Sequence, residues 1–114
     1  MYAAFLCHVD PTREIDRLRL RAEHLTYIVS HQRQIVAGGP TLTSEGTPET
    51  MILLVSVRDL ADAEAFIRSE PYTRHGVFKH VDIRAWARVL PESQAGSLQA
   101  ALDSELAQQR GSGS

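Results

Sequence analysis

Apolar and polar positions alternate, then change period, several times along the 114 residues. Residues 2–9, from Tyr2 to Val9, are apolar and strand-compatible, and they stop at the turn signal Asp10-Pro11-Thr12. Residues 12–34 switch to a helical period. Ile15, Leu18, Ala22, Leu25 and Val29 recur at spacings of three and four, which predicts their stripe as the buried face. Asp10 or Thr12 is placed to cap this helix, and Glu14 and Asp16 suit the positive end of its dipole. Residues 34–42 read as a second strand interrupted at Gly38-Gly39-Pro40, either as a bend at a sheet edge or as a place where a ligand approaches the backbone. A polar turn over 43–49 follows.

Residues 50–57, Thr-Met-Ile-Leu-Leu-Val-Ser-Val, form the clearest strand, apolar on both alternating faces. Asp59 caps a helix that reaches residue 69, with Leu60, Ala63, Phe66 and Ile67 as its buried stripe. Pro71 ends that helix and pushes Glu70 toward extended geometry. A connector over 72–76 leads to a last strand over 77–90. Val81, Ile83, Ala85, Ala87 and Val89 share one face with Val77, while Phe78, His80, Asp82, Arg84, Trp86 and Arg88 take the other.

Beyond Pro91 the composition becomes rich in Ala and Gln. Leu98, Leu102 and Leu106 make a thin stripe, which predicts a peripheral helix over 93–109. Residues 111–114, Gly-Ser-Gly-Ser, read as a flexible tail. The chain therefore divides into a domain over 1–90, a peripheral helix within 91–110 and the tail.

Strand, helix, strand, strand, helix, strand is the βαββαβ order of the ferredoxin-like, α+β arrangement, with both helices on one face of a four-stranded antiparallel sheet. The first and third strands are apolar on the other face too, and a bare apolar face of that size needs a cover. A second copy packed sheet to sheet, giving a homodimer, is the simplest cover. The C-terminal helix folded over the sheet is the competing one.

Composition narrows the function classes. Hydrophobic residues make up 43%, enough for one core, and the formal net charge is -2. That balance offers no basic excess for nucleic acid. No apolar run approaches the roughly 20 residues of a membrane helix. The first residues lack a secretory pattern. With a single cysteine, Cys7, a cytoplasmic setting is the expectation, and Cys7 itself reads as a small buried hydrophobe. His8, His31, His75 and His80 do not make a metal-ligand spacing, and no cofactor motif is present. The row Arg13, Arg17 and Arg21 reads as a solvated helix face.

The candidate chemistry centres on His24, on the flank of the first helix, whose imidazole can take and give a proton near neutral pH. Four short runs appear in order: Arg21-Ala22-Glu23-His24-Leu25, Ala37-Gly38-Gly39-Pro40, Glu70-Pro71-Tyr72 with His75-Gly76-Val77-Phe78, and Ile83-Arg84-Ala85-Trp86. Together they resemble the YciI-like family of small dimeric α/β-barrel proteins, over roughly residues 1–89.

The resemblance implies a histidine–carboxylate pair in a cleft, with His24 at the family histidine. Glu70 stands where the family has aspartate. One activity known in the family is dehydrochlorination of a chlorinated hydroxyquinol-type aromatic. Glutamate is one methylene longer than aspartate, so hydrogen-bond reach of about 2.6–3.2 Å requires the backbone to compensate. In this reading Glu70 orients the imidazole. Gly38, Gly39 and Pro40 line the substrate site, Tyr72 hydrogen-bonds the substrate, and His75, with His80, is a candidate for the same cleft. The implied function is a cofactor-independent lyase or isomerase acting on a small cyclic or aromatic polar molecule. The alternative is a non-catalytic dimeric domain that binds a small ligand or assists a pathway enzyme. The related dimeric-barrel monooxygenases share the architecture, but the sequence carries no oxygenase signature.

Overall fold

A computed structural model describes residues 1–112. Strands β1 (Tyr2–Val9), β2 (Ile35–Leu42), β3 (Pro48–Ser56) and β4 (Phe78–Trp86) form one antiparallel sheet in the order β2-β3-β1-β4. The helices are α1 (Glu14–Arg19), α2 (Arg21–Ser30), α3 (Leu60–Ser69), α4 (Pro71–Arg74) and α5 (Ser97–Ser112). The first four complete the expected ferredoxin-like α+β order, with α1 and α2 after β1 and α3 and α4 before β4.

The strand period of two sets the layers. Ala3, Phe5, Cys7 and Val9 of β1 and Met51, Leu53 and Val55 of β3 point to the helix side and are buried. There they meet Ala63, Phe66 and Ile67 of α3, and the Phe5 and Phe66 rings stack at 5.6 Å. A smaller cluster of Val9, Leu20, Tyr72 and Val77 lies beside it. Cys7 is fully buried, and burial above all, with the charge of Glu70 adding to it, pushes its thiol up to about 12.

Several local expectations are corrected. Residues 12–34 are not one helix: a break at Leu20 separates α1 from α2, and 3-10 turns flank the pair. The expected buried stripe is on the outside, with Ile15 83% and Val29 67% exposed. Leu20 and His24 are buried instead, with Tyr27 and Ile28 half-buried beside them. Leu60 of α3 is likewise exposed.

Pairing runs unbroken through Gly38, Gly39 and Pro40, and the irregularities of β2 fall nearer its ends, between Ile35 and Ala37 and between Thr41 and Leu42. β4 ends at Trp86 rather than at residue 90. A register shift opposite His8 and Val9 sets Phe78 against Val9, so Phe78 packs with the core and not on the open face. The connector after Glu70 contains the helical turn α4.

The caps follow the sequence closely. Asp10 Oδ1 accepts from the Thr12 amide at 2.9 Å, and Asp59 Oδ1 accepts from the Asp62 amide at 2.8 Å. Asp62 reaches back to the amide of Arg58 at 2.9 Å.

The C-terminal helix does not fold over the sheet. Residues 97–111 are exposed, Leu98, Leu102 and Leu106 among them. It extends to Ser112 and so takes in Gly111 and Ser112, expected as tail; the remainder of that expectation, residues 113 and 114, lies outside the described residues. The sheet face opposite the helices keeps Ala4, Leu6, Ile52 and Leu54 only partly covered. Among the described residues, no helix is long and apolar enough to cross a membrane.

Candidate functional site

Where α2 and α4 meet the sheet, the chain forms a partly open cavity of about 300 Å³. Its walls come from α1 and α2 (Arg17, Arg21, His24, Leu25, Ile28), from β2 (Gly38, Gly39, Pro40), from α4 (Tyr72), and from Val9, Pro48, Met51, Leu53 and Phe78.

His24 reaches this wall because α2 turns its Leu20–His24 side inward, and only 8% of the residue is exposed. Its Nδ1 meets Oε1 of Glu70, 46 residues away in sequence, in a short buried hydrogen bond. Glu70 is itself fully buried. Its position follows from Pro71: the residue before a proline favours extended backbone, and Glu70 has φ -67° and ψ 130°. That geometry also makes Glu70 the N-cap of α4, its Oε2 accepting from the Thr73 amide at 3.2 Å. One carboxylate thus fixes both the imidazole and the helical turn beneath it.

When the carboxylate is ionised it can only accept, and the contact then calls for the proton on Nδ1. Nε2 is left with its lone pair as the nitrogen available to a ligand. Tyr72 covers one face of the imidazole, with ring centroids 4.0 Å apart and planes inclined by 10°. Burial raises the Tyr72 hydroxyl above its ordinary value. Arg17 pulls the opposite way and Glu70 adds to the rise. The phenol is therefore protonated at neutral pH and can donate to a ligand.

Two contacts clamp the surrounding elements. Arg74 Nη2 donates to Glu23 Oε1 at 3.0 Å, joining α4 to α2, and Arg13 Nη2 donates to the His75 carbonyl at 2.9 Å.

The residues picked from the sequence divide accordingly. His24, Tyr72, Gly38, Gly39 and Pro40 share the cavity, and Glu70 stands behind His24 without lining it. His75 does not join them. It follows the last turn of α4 with its side chain exposed; its amide donates to the Pro71 carbonyl at 3.1 Å and its own carbonyl accepts from Arg13. His80 does not either: it lies on the open sheet face, where its Nε2 meets Asp82 at 2.9 Å and where His8 meets the same carboxylate at 3.2 Å. Those two contacts, His80 first, hold Asp82 below the usual carboxylate range.

The arginine row is not a solvated face throughout. Arg17 and Arg21 line the cavity, and the Arg17 side chain is only 12% exposed. The signal for both was spacing: Arg21 precedes His24 by three residues and Arg17 precedes Arg21 by four, so the three follow one helical period. Among the described residues, no three His, Cys, Asp or Glu side chains are grouped to hold a metal ion.

Comparison with known proteins gives the fold a family. The chain resembles 5-chloro-2-hydroxyhydroquinone dehydrochlorinase (TftG) from Burkholderia phenoliruptrix AC1100, solved in complex with 2,5-dihydroxybenzoquinone. The TM-score is 0.72 at 21% identity, over 82% of this chain and all of the other. An antibiotic-biosynthesis-monooxygenase-type protein from Bacteroides thetaiotaomicron VPI-5482 aligns with a TM-score of 0.51 at 13% identity, over 82% of this chain and 93% of its own. At these identities the likeness speaks for the fold. No curated protein matches the chain. The YCII-related domain family matches residues 1–100, nearly the full length, and the chain belongs to that family.

Proposed function

We propose that this protein is a lyase- or isomerase-type enzyme that moves protons on a small cyclic or aromatic polar substrate, with His24 as the general acid–base and Glu70 as its orienting partner. The observation that carries the reading is the buried His24–Glu70 pair, whose imidazole lines a partly open cavity. A surface histidine has no reason to be held by a buried carboxylate that also caps a helix.

In the forward step Nε2 takes a proton from a ring hydroxyl or an activated C–H of the substrate. Glu70 stabilises the imidazolium that forms. The electron pair released moves into the ring. In an elimination the imidazolium returns that proton to the halogen-bearing ring carbon, and loss of a second hydroxyl proton to Nε2 then expels the anionic leaving group, such as chloride, and forms a ring C=O. In an isomerisation the imidazolium returns the proton to another ring atom. Tyr72 donates to a substrate oxygen and stabilises charge as it develops there. The apolar walls exclude water and strengthen both interactions. Each of these steps uses side chains of the chain itself.

The same reading includes a homodimer built through the open sheet face. Ala4, Leu6, Ile52 and Leu54 form an apolar patch there that α5 leaves uncovered.

The test is turnover on 5-chloro-2-hydroxyhydroquinone and on ring-chlorinated dihydroxybenzoates, followed by chloride release and by proton NMR in deuterated water. His24→Ala is expected to lower kcat/KM by about 100-fold or more, the usual contribution of a positioned acid–base, with the melting curve retained. Ligand binding without any His24-dependent conversion across the panel would leave the chain a non-catalytic binding domain.

A further inference from the structure

We propose that the cavity selects an anionic substrate, a small ring bearing a carboxylate, and that Arg21 is the residue that recognises the negative group. The inference rests on the reading of the cavity as the substrate site and adds the charge class of what enters it.

Charge along the cavity wall is one-sided: two guanidiniums line it and, among the described residues, no carboxylate does. Arg17 is already committed: its Nε donates to Glu14 Oε2 at 2.9 Å and its Nη2 to Glu14 Oε1. That pair is the first cause holding Glu14 below its ordinary value and Arg17 above its own. Glu70 is the one buried acid among the described residues, and it is spent on His24 and on the α4 cap. Arg21 has no ion-pair or hydrogen-bond partner among the described residues. Its cationic charge on the cavity wall is therefore unbalanced, whereas both neighbouring charged pairs are closed.

The other walls make that charge count. Val9, Leu25, Ile28, Met51, Leu53 and Phe78 are apolar, so a ring seated against them displaces water from beside the exposed guanidinium and strengthens its pull on the ring's anionic group. Its planar fork of donors fits a carboxylate with two parallel hydrogen bonds. Arg21 precedes His24 by three residues on the same helix, so their Cβ atoms stand roughly 5–6 Å apart. A ring acid held by Arg21 therefore carries its reacting atoms about one ring-width away, at Nε2. Its ring fills the apolar part of the cavity.

The test is calorimetric titration of the full chain with benzoate, with its neutral isostere benzamide, and with benzylamine. Wild-type protein is expected to bind benzoate about tenfold or more tighter than benzamide and to bind benzylamine weakest. Arg21→Gln is expected to cut benzoate affinity about tenfold and leave benzamide unchanged; Arg21→Lys restores part of the difference. Arg33→Gln, at an exposed arginine outside the cavity, leaves the preference intact. Because Arg21 is exposed and unpartnered, its replacement keeps the melting temperature, which serves as the fold check.

The proposal is overturned by equal affinity for benzoate and benzamide, by an unchanged preference in Arg21→Gln, or by no benzoate binding up to about 10 mM. None of these readouts passes through His24. Loss of the charge preference with His24-dependent turnover intact sinks this inference alone. A charge preference without His24-dependent turnover supports it and sinks the catalytic reading.

Discussion

Glu70 carries two structural duties on one side chain, and they separate under substitution. Oε1 meets His24 Nδ1 in a buried pair, and Oε2 accepts from the Thr73 amide at the start of α4. Glu70→Ala removes both contacts and leaves the imidazole and an amide without partners. Breaking a buried pair of this kind costs about 3–5 kcal/mol, a large part of a small domain's stability. Glu70→Gln keeps an oxygen for one contact but loses the charge that favours imidazolium. It is expected to cost less than Glu70→Ala in urea denaturation while still lowering turnover. A Glu70→Ala variant as stable as wild type would show that the pair does not hold the fold. The extra methylene of glutamate finds its compensation here: Pro71 sets the backbone of Glu70, and the cap bond sets the carboxylate.

At the scale of elements, the two glycines of β2 differ although they are adjacent. A Cβ built on Gly38 would lie 2.6 Å from Cδ2 of Leu53, a side chain only 3% exposed, whereas one on Gly39 meets nothing within 4 Å. Gly38→Ala therefore forces a packed leucine to move, at about 1–3 kcal/mol, against a gain of about 0.4–1 kcal/mol from a stiffer unfolded chain. Gly39→Ala keeps only the gain. The two variants are expected to differ by about 1–3 kcal/mol in denaturation midpoint analysis, since the shared gain cancels, with Gly38→Ala the weaker; equal stabilities would contradict the close approach.

The sequence marks the glycine pair but not this difference, because a pattern along one strand does not contain the leucine on the next. Strand alternation, Asp caps and the proline after Glu70 were readable because each acts within a few residues. The first helix misled because one side of it is half cavity wall and half core. Arg17, Leu20, Arg21, His24, Tyr27 and Ile28 keep a helical period, but polar members hide it from an apolar count. The cleaner stripe of Ile15, Leu18, Leu25 and Val29 is exposed instead. A polar side chain lining a cavity is, in composition alone, the same as one facing water.

For the whole molecule the question is what covers the open sheet face. Ala4 and Leu6 of β1 stand opposite Leu54 and Ile52 of β3, with Tyr2 and Trp86 in edge contact at one end and His8, His80 and Asp82 at the other. Two copies placed face to face would bury the apolar centre and leave the charged end at a wetter rim, as protein interfaces do. α5 supplies no cover of its own. Light scattering coupled to gel filtration is expected to give twice the chain mass for wild type. Leu54→Glu, which would bury an unpaired carboxylate in the interface but leave a lone copy unharmed, is expected to run at the mass of one chain with its far-ultraviolet spectrum unchanged. Removing residues 91–114 separates the two possible covers. A shortened chain that still runs at twice its own mass assigns the contact to the sheet. One that falls to a single copy while Leu54→Glu stays paired assigns it to α5 and sinks the sheet-to-sheet dimer.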